Sequence, residues 1–220
     1  MASDSAPRNT STLEPPLLGE SYANQPSCQV GFGSSDGGVW YRAYTPMGSD
    51  GEARDSRYFS AGNGRFDLPA PRGSLNLASS PEVAFRERLG RTLVSARELP
   101  SSELRGVWIA RIELPRIFRV ADFRMPGLGI APGDISSSVQ DYSVTQKWAE
   151  QMQTDGFEGI IARSRFGNGS TLYLFGDSGE NRDFGICIDH HQSAVELVKG
   201  IANFPRIVDV EKYPEEFDFE

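Results

Sequence analysis

Ser80-Pro81 and Gly90 mark the two ends of one short helix, and no other feature of this chain limits its fold so closely. Serine is a strong N-cap, proline suits the first helical position, where its missing N–H costs nothing, and glycine is a common C-terminal stop. The residues between them read PEVAFRERL. Just upstream, Ser74 to Ala78 (SLNLA) is a short apolar strand, and Gly62-Asn63-Gly64-Arg65-Phe66 frames an arginine with glycines. Glycine permits backbone conformations closed to other residues and lets a ligand approach closely; a tight turn with an exposed arginine is the other reading. A loop cation, a strand and a helix carboxylate thus stand in one run, Tyr58 to Arg91, short enough to surround a single cleft. The carboxylate is Glu87. At about 100° per residue it falls between Val83 and Ala84 on the helix circumference and away from Arg86, a poor place for a merely solvated charge. Either it pairs at the helix edge with an arginine of a neighbouring element, or it sits half-buried in a cleft.

The chain has 220 residues, 38 % of them hydrophobic, enough for one domain with its own core plus a tail. A net charge of -8 and a pI near 4.9 argue against nucleic acid as a main partner, because phosphate backbones are held by clustered Lys and Arg. Only Lys147, Lys199 and Lys212 of the 22 basic residues are lysine. The arginine bias is either compositional or a sign of guanidiniums forking onto carboxylates and phosphates. Cys28 and Cys187 show no CxxC spacing, so neither a zinc site nor a disulfide framework is expected, and a reducing cytoplasm fits. No signal-like apolar core and no run of about 18 apolar residues occurs, so no membrane span is expected.

Residues 1–38 are rich in Ser, Pro, Asn and Gly without apolar periodicity; they are expected to be a disordered tail, with 39–220 the folded domain. The glycines of Gly31 to Gly38 do not make a dinucleotide fingerprint, because its third glycine would fall on Asp36 and no strand is expected before it. Val39 to Tyr44 (VWYRAY) opens the sheet and puts Arg42 on a strand, as a solvated outward charge or facing a ligand. Val107 to Leu114, alternating around Trp108, Ala110, Ile112 and Leu114, and Ile117 to Ala121 read as further strands. Tyr142 to Thr154 carries Tyr142, Thr145, Trp148, Ala149 and Met152 at helical spacing, a core-facing helix stopped by Gly156. Strands follow at Gly159 to Ala162, Thr171 to Phe175 and Gly185 to Ile188, then a helix from about His191 to Asn203. Strands and helices mix without regular βαβ alternation, which predicts an α+β fold with a split mixed β-sheet and flanking helices.

A nucleophile elbow, a Walker loop and an HExxH helix are all absent from the sequence. His190 and His191 are the only histidines. As chain neighbours they point apart, so they are expected at a helix entry on the surface and no metal site is expected.

Four segments in fixed order resemble the RES domain family, named for its arginine, glutamate and serine, over roughly Trp40 to Phe175. They are WYRAY, FSAGNGRFDLP, LNLASSPEVAFRE, and GIIARSR followed by TLYLF. Residue by residue, the family's arginine falls on Arg42, its glutamate on Glu87, its serine on Ser164, and its second, glycine-flanked arginine on Arg65. The family usually has an aromatic, most often tyrosine, in the strand before the glutamate helix. Here Asn76 takes that place, which leaves Tyr44 and Tyr58 as candidates for an aromatic surface.

The resemblance implies an ADP-ribosyltransferase-like fold and the toxin of a bacterial toxin–antitoxin pair, with NAD+ as substrate and no separate cofactor, and an Xre-like helix-turn-helix antitoxin as partner. It implies Glu87, Arg42 and Ser164 as catalytic residues, and Arg42, Arg65, Tyr44, Tyr58 and Asn76 as substrate-binding ones. Family members consume NAD+ by hydrolysis or phosphorolysis, or transfer its ADP-ribose to a protein; a binding module weakened by Asn76 is a third outcome. Forked hydrogen bonds from Arg42 and Arg65 suit a pyrophosphate. Nicotinamide is already a cationic leaving group, so its departure needs no general acid. Glu87 would stabilise an oxocarbenium-like transition state and grip ribose hydroxyls, and Ser164 would fix the nicotinamide end without acting as a nucleophile. Monomer and homodimer are both left open.

Overall fold

Val39–Tyr44 does form a strand, and its two neighbours in the sheet explain the architecture. The computed structural model describes residues 13–48, 51, 54–90, 92, 97–127, 142–180, 187–202 and 204–209, with backbone only for 187–190. In chain order the elements are β1 (Ser27–Val30), β2 (Val39–Tyr44), β3 (Tyr58–Phe59), β4 (Arg72–Ala78), α1 (Pro81–Leu89), β5 (Glu98–Pro100), β6 (Trp108–Glu113) and β7 (Phe118–Asp122). There follow α2 (Ser143–Thr154), β8 (Gly159–Arg163), β9 (Ser170–Asp177), β10 (Gly179–Glu180), β11 (Cys187–Ser193), α3 (Ala194–Val198) and β12 (Arg206–Val208). Eight strands hydrogen-bond in the order β1-β7-β8-β9-β4-β2-β6-β11, antiparallel except for β7 beside β8. The pairs β10/β3 and β12/β5 are separate.

This sheet cannot be flat. β6 and β7 stand five places apart in the order, about 24 Å at roughly 4.8 Å per strand. Only residues 114–117 join them, and five Cα steps span at most about 18 Å. The sheet therefore curls, and one core cluster draws on both of its ends: Val30 and Val120 from one, Trp40, Ala110 and Ile112 from the other, with Leu75, Leu77, Ile161, Leu172 and Leu174 between. The curl is concentrated where the sheet is weakest. β4 pairs with β9 along its whole length, Arg72↔Asp177 to Ala78↔Thr171, but with β2 only at Tyr41↔Ala78. Away from that single pair the two strands part, and their facing edges are left to line a cleft.

Helices cover the outer faces. α2 buries Thr145, Trp148, Ala149 and Met152, the stripe its spacing predicts, against Phe66, Phe123, Ile160 and Tyr173. α1 has the expected ends: the Ser80 hydroxyl accepts from Val83 N at 3.2 Å, and Gly90 at φ +53° donates its N–H to Arg86 O. It packs Val83, Ala84, Phe85 and Leu89 with Ala194 of α3 over β2 and β6. The split mixed sheet with flanking helices is thus as expected. Among the described residues no helix is long and apolar enough to cross a membrane.

Several expectations need correction. Residues 13–38 are not a loose tail: β1 pairs with β7 from Ser27↔Ala121 to Val30↔Phe118, and Leu13 and Tyr22 are buried in the α2 cluster. The Tyr22 ring meets Trp148 edge-on at 4.8 Å, Tyr22 N donates to Asp155 Oδ2, and Trp148 Nε1 donates to Glu14 O. Every one of these partners lies far downstream, so no local window carries the signal. Residues 1–12 lie outside the described residues. A strand does precede Gly31, but a turn and then β2 come after it, so the fingerprint still fails. The helix expected over 191–203 is only α3, because β11 runs on to Ser193 beside Trp108, and Ser193 then caps α3 by accepting from Glu196 N. His190 and His191 are strand residues; Gly185 and Asn203 lie outside the described residues. Trp108, placed in one alternating set with Ala110, Ile112 and Leu114, is 39 % exposed at the start of β6.

Tyr22→Ala should therefore destabilise the protein by roughly 3 kcal/mol, the usual cost of emptying a buried aromatic site. Urea denaturation measures it; a change within error would mean that this segment contributes nothing to the core.

Candidate active site

The parting of β2 from β4 leaves a cavity of about 380 Å³. Its walls are Tyr41, Arg42 and Ala43 of β2, Asn76 and Ala78 of β4, Ala84, Glu87 and Arg88 of α1, and Ser60, Asn63, Gly64 and Asp67 of the intervening loop. Ala84, Glu87 and Arg88 stand at i, i+3 and i+4, one face of a helix. A small residue beneath a carboxylate and a guanidinium leaves room above the strands.

Glu87 is held at one oxygen and free at the other. Ser164 Oγ donates to Glu87 Oε1 at 2.6 Å, and Arg165 N donates to the same atom at 2.8 Å. Oε2 takes no hydrogen bond from the described residues, while the residue lines the cavity. Of the two sequence readings, the half-buried cleft carboxylate is the one observed. Ser164 is itself fixed, since its Oγ accepts from Phe166 N and Gly167 N as the chain turns out of β8.

Arg42 enters from the opposite wall. The residue is half-buried, its Nη1 donates to Ser56 O at 3.3 Å, and burial pushes its pKa down to about 10, against the favourable charges of Asp67 and Asp55. It remains a cation at neutral pH, but a partly desolvated one.

The loop floor is organised by Asp67, which is 1 % exposed. It accepts from Gly64 N at 2.8 Å, Asn63 N at 3.2 Å and Ser74 Oγ at 2.7 Å. Gly64 has to be glycine for reasons of space: a Cβ there would lie 2.7 Å from Asp67 Oδ1. From outside, Gln146 of α2 donates to Gly62 O and Gly64 O. The cleft floor is thus bonded before any ligand arrives.

Residues 38–192 match the model of the RES domain family. The chain belongs to the RES domain family. Among solved structures, a chain of the M. tuberculosis MbcT–MbcA toxin–antitoxin complex is similar in fold, with a TM-score of 0.50 and 17 % identity over 71 % of this chain and 83 % of that one. No curated protein matches the chain.

The three residues matched in the sequence to the family's arginine, glutamate and serine come together here: Arg42 and Glu87 on the cleft walls, and Ser164 hydrogen-bonded behind Glu87. Asn76 lines the cleft too. Arg65 does not. It is 3 % exposed and turned into the core, where Nη2 donates to Thr171 Oγ1 at 3.1 Å and the guanidinium lies over the Phe66 and Tyr173 rings. Tyr44 and Tyr58 are not on the cleft either: the Tyr44 hydroxyl is 2.9 Å from His191 Nδ1, and Tyr58 lies under the Arg54 guanidinium. The aromatic ring that does line the cleft is Tyr41, beside Arg42 in the WYRAY strand. Sequence reasoning missed Tyr41, Asp67 and Arg88. The helical phase that singled out Glu87 also favoured Arg88, one turn beyond Ala84.

Proposed function

We propose that this RES domain cleaves the bond between nicotinamide and ribose in NAD+, as the toxin of a toxin–antitoxin pair in the bacterial cytoplasm. The observation that supports it most is Glu87, clamped through one oxygen by Ser164 and Arg165 N–H with the other oxygen free, across a cleft from Arg42. In the reaction the C1′–N bond breaks, its electron pair leaves with nicotinamide as a neutral molecule, and the positive charge passes to the ribosyl C1′–O4′ unit. A fixed carboxylate stabilises that charge and accepts a hydrogen bond from a ribose hydroxyl without reorganising. Water, phosphate or a protein nucleophile then forms the new bond to C1′. Ser164 serves this by holding Glu87, not by touching nicotinamide, which revises the role its sequence position suggested. Family membership, and a fold shared with a chain of a toxin–antitoxin complex, support the toxin role; the partner would be an Xre-like helix-turn-helix antitoxin.

NAD+ labelled in its adenine ring tests this. Nicotinamide should be released by the purified protein, with label in small products; label carried onto protein would instead make the chain an ADP-ribosyltransferase on the same site. Undiminished NAD+ after prolonged incubation would end the proposal.

A further inference from the structure

Arg88 is an exposed guanidinium on the cleft wall, and among the described residues no carboxylate pairs with it. Arg42 faces the same cleft from β2. The two cations are near enough that the charge of Arg88 works against that of Arg42. Asp67 and Asp55 offset the charge of Arg42, whereas among the described residues no ion pair ties Arg88 to a carboxylate. Two like charges aimed into one space repel until an anion enters between them, and guanidiniums hold phosphate oxygens by forked, charge-assisted hydrogen bonds.

We propose that Arg88 and Arg42 are the two jaws of a pyrophosphate clamp at the mouth of the cleft, and that Arg88, not Arg65, is the second arginine that receives the anionic centre of the dinucleotide. This rests on the NAD+ reading above. The positions fit the substrate: Glu87 would meet the nicotinamide ribose, and only that ribose ring and one methylene separate its reacting carbon from the nearer phosphate. Arg88 is the next residue of α1 after Glu87. A cavity of about 380 Å³ is at the small end of the range for drug-sized ligands, about 300–1,000 Å³. A dinucleotide is larger than such ligands, so its adenosine half must pass the mouth, where Arg88 stands. Arg65 has no such access, being held in the core by Thr171 and Arg163 O.

The test is ADP-ribose and inorganic pyrophosphate binding by calorimetry, with NAD+ kinetics on the same proteins. Arg88→Gln should bind both probes about ten- to hundredfold more weakly, the loss expected for a charge-assisted pair. Its KM for NAD+ should rise at least about tenfold while kcat changes little, since the remote phosphate contact is made equally in ground and transition states. Arg88→Lys should fall between, keeping charge but losing the fork. Because the side chain is exposed, melting temperatures should match wild type. Wild-type affinity for both probes in Arg88→Gln would overturn the clamp and leave the NAD+ reading intact, as would a wild-type protein that releases nicotinamide yet binds neither probe. A wild type that neither binds the probes nor releases nicotinamide would remove both.

Discussion

Glu87→Gln should lower the rate of nicotinamide release by about two to three orders of magnitude, the scale on which preorganised electrostatic stabilisation is lost, and leave the fold in place. The substitution is nearly isosteric. A glutamine carbonyl can still accept from Ser164 Oγ and Arg165 N, the two donors that now hold Oε1. What disappears is the negative charge that, in the proposed reaction, stands beside the ribosyl cation. Ser164→Ala should act less strongly, about tenfold in kcat, because Arg165 N–H still holds the carboxylate while one of two restraints is gone. The ranking is the informative part. Were Ser164→Ala as damaging as Glu87→Gln, with unchanged melting temperature, Ser164 would have to touch the substrate, and the positioning role read from its 2.6 Å bond to Glu87 would be wrong.

Much of this was legible in the sequence because it was local. The bounds of α1 follow from Ser80, Pro81 and Gly90, and the inward phase of Glu87 follows from counting along the helix; both are observed. The glycine-framed Arg65 misled for a physical reason. Gly62 and Gly64 do shape the cleft floor, but the arginine between Gly64 and Phe66 turns away from it to stack on Phe66 and Tyr173, and that choice depends on β9, more than a hundred residues on. The same distance hid β1, whose hydrogen bonds come from β7, and it shortened the last helix, whose first residues were claimed by pairing with β6. Asn76 is a subtler case. Opposite Tyr173 in register, it presents an amide to the cleft where the sequence resemblance led us to expect a ring, and a ring lining this cleft comes from Tyr41 on the facing strand.

Arg42→Met should abolish measurable activity, a loss of about a hundredfold or more if the guanidinium gives even two charge-assisted contacts of roughly 1.5–3 kcal/mol each, and yet should not destabilise the protein. The expectation comes from burial. Arg42 is half-buried and partly desolvated, with a pKa pushed down to about 10, and its one hydrogen bond to the described residues is the 3.3 Å contact with Ser56 O. Its neighbour Asp67 does not depend on it, having Asn63 N, Gly64 N and Ser74 Oγ as donors. Removing the cation therefore relieves a desolvation cost without orphaning a carboxylate, and a methionine of similar length keeps the packing. The sign with pH is definite. Folded and unfolded chains both hold the proton at pH 6–9, so any gain in stability from Arg42→Met should be constant across that window. Only above about pH 10 does the unfolded state bind more protons at this position, and there the wild type recovers stability relative to the variant as pH rises. Melting curves at three pH values, with and without ADP-ribose, separate the effects. The ligand should raise the wild-type midpoint by mass action and leave Arg42→Met unmoved. A variant that melts well below wild type at neutral pH would instead make Arg42 a structural cation whose service to Asp67 and Asp55 outweighs its burial.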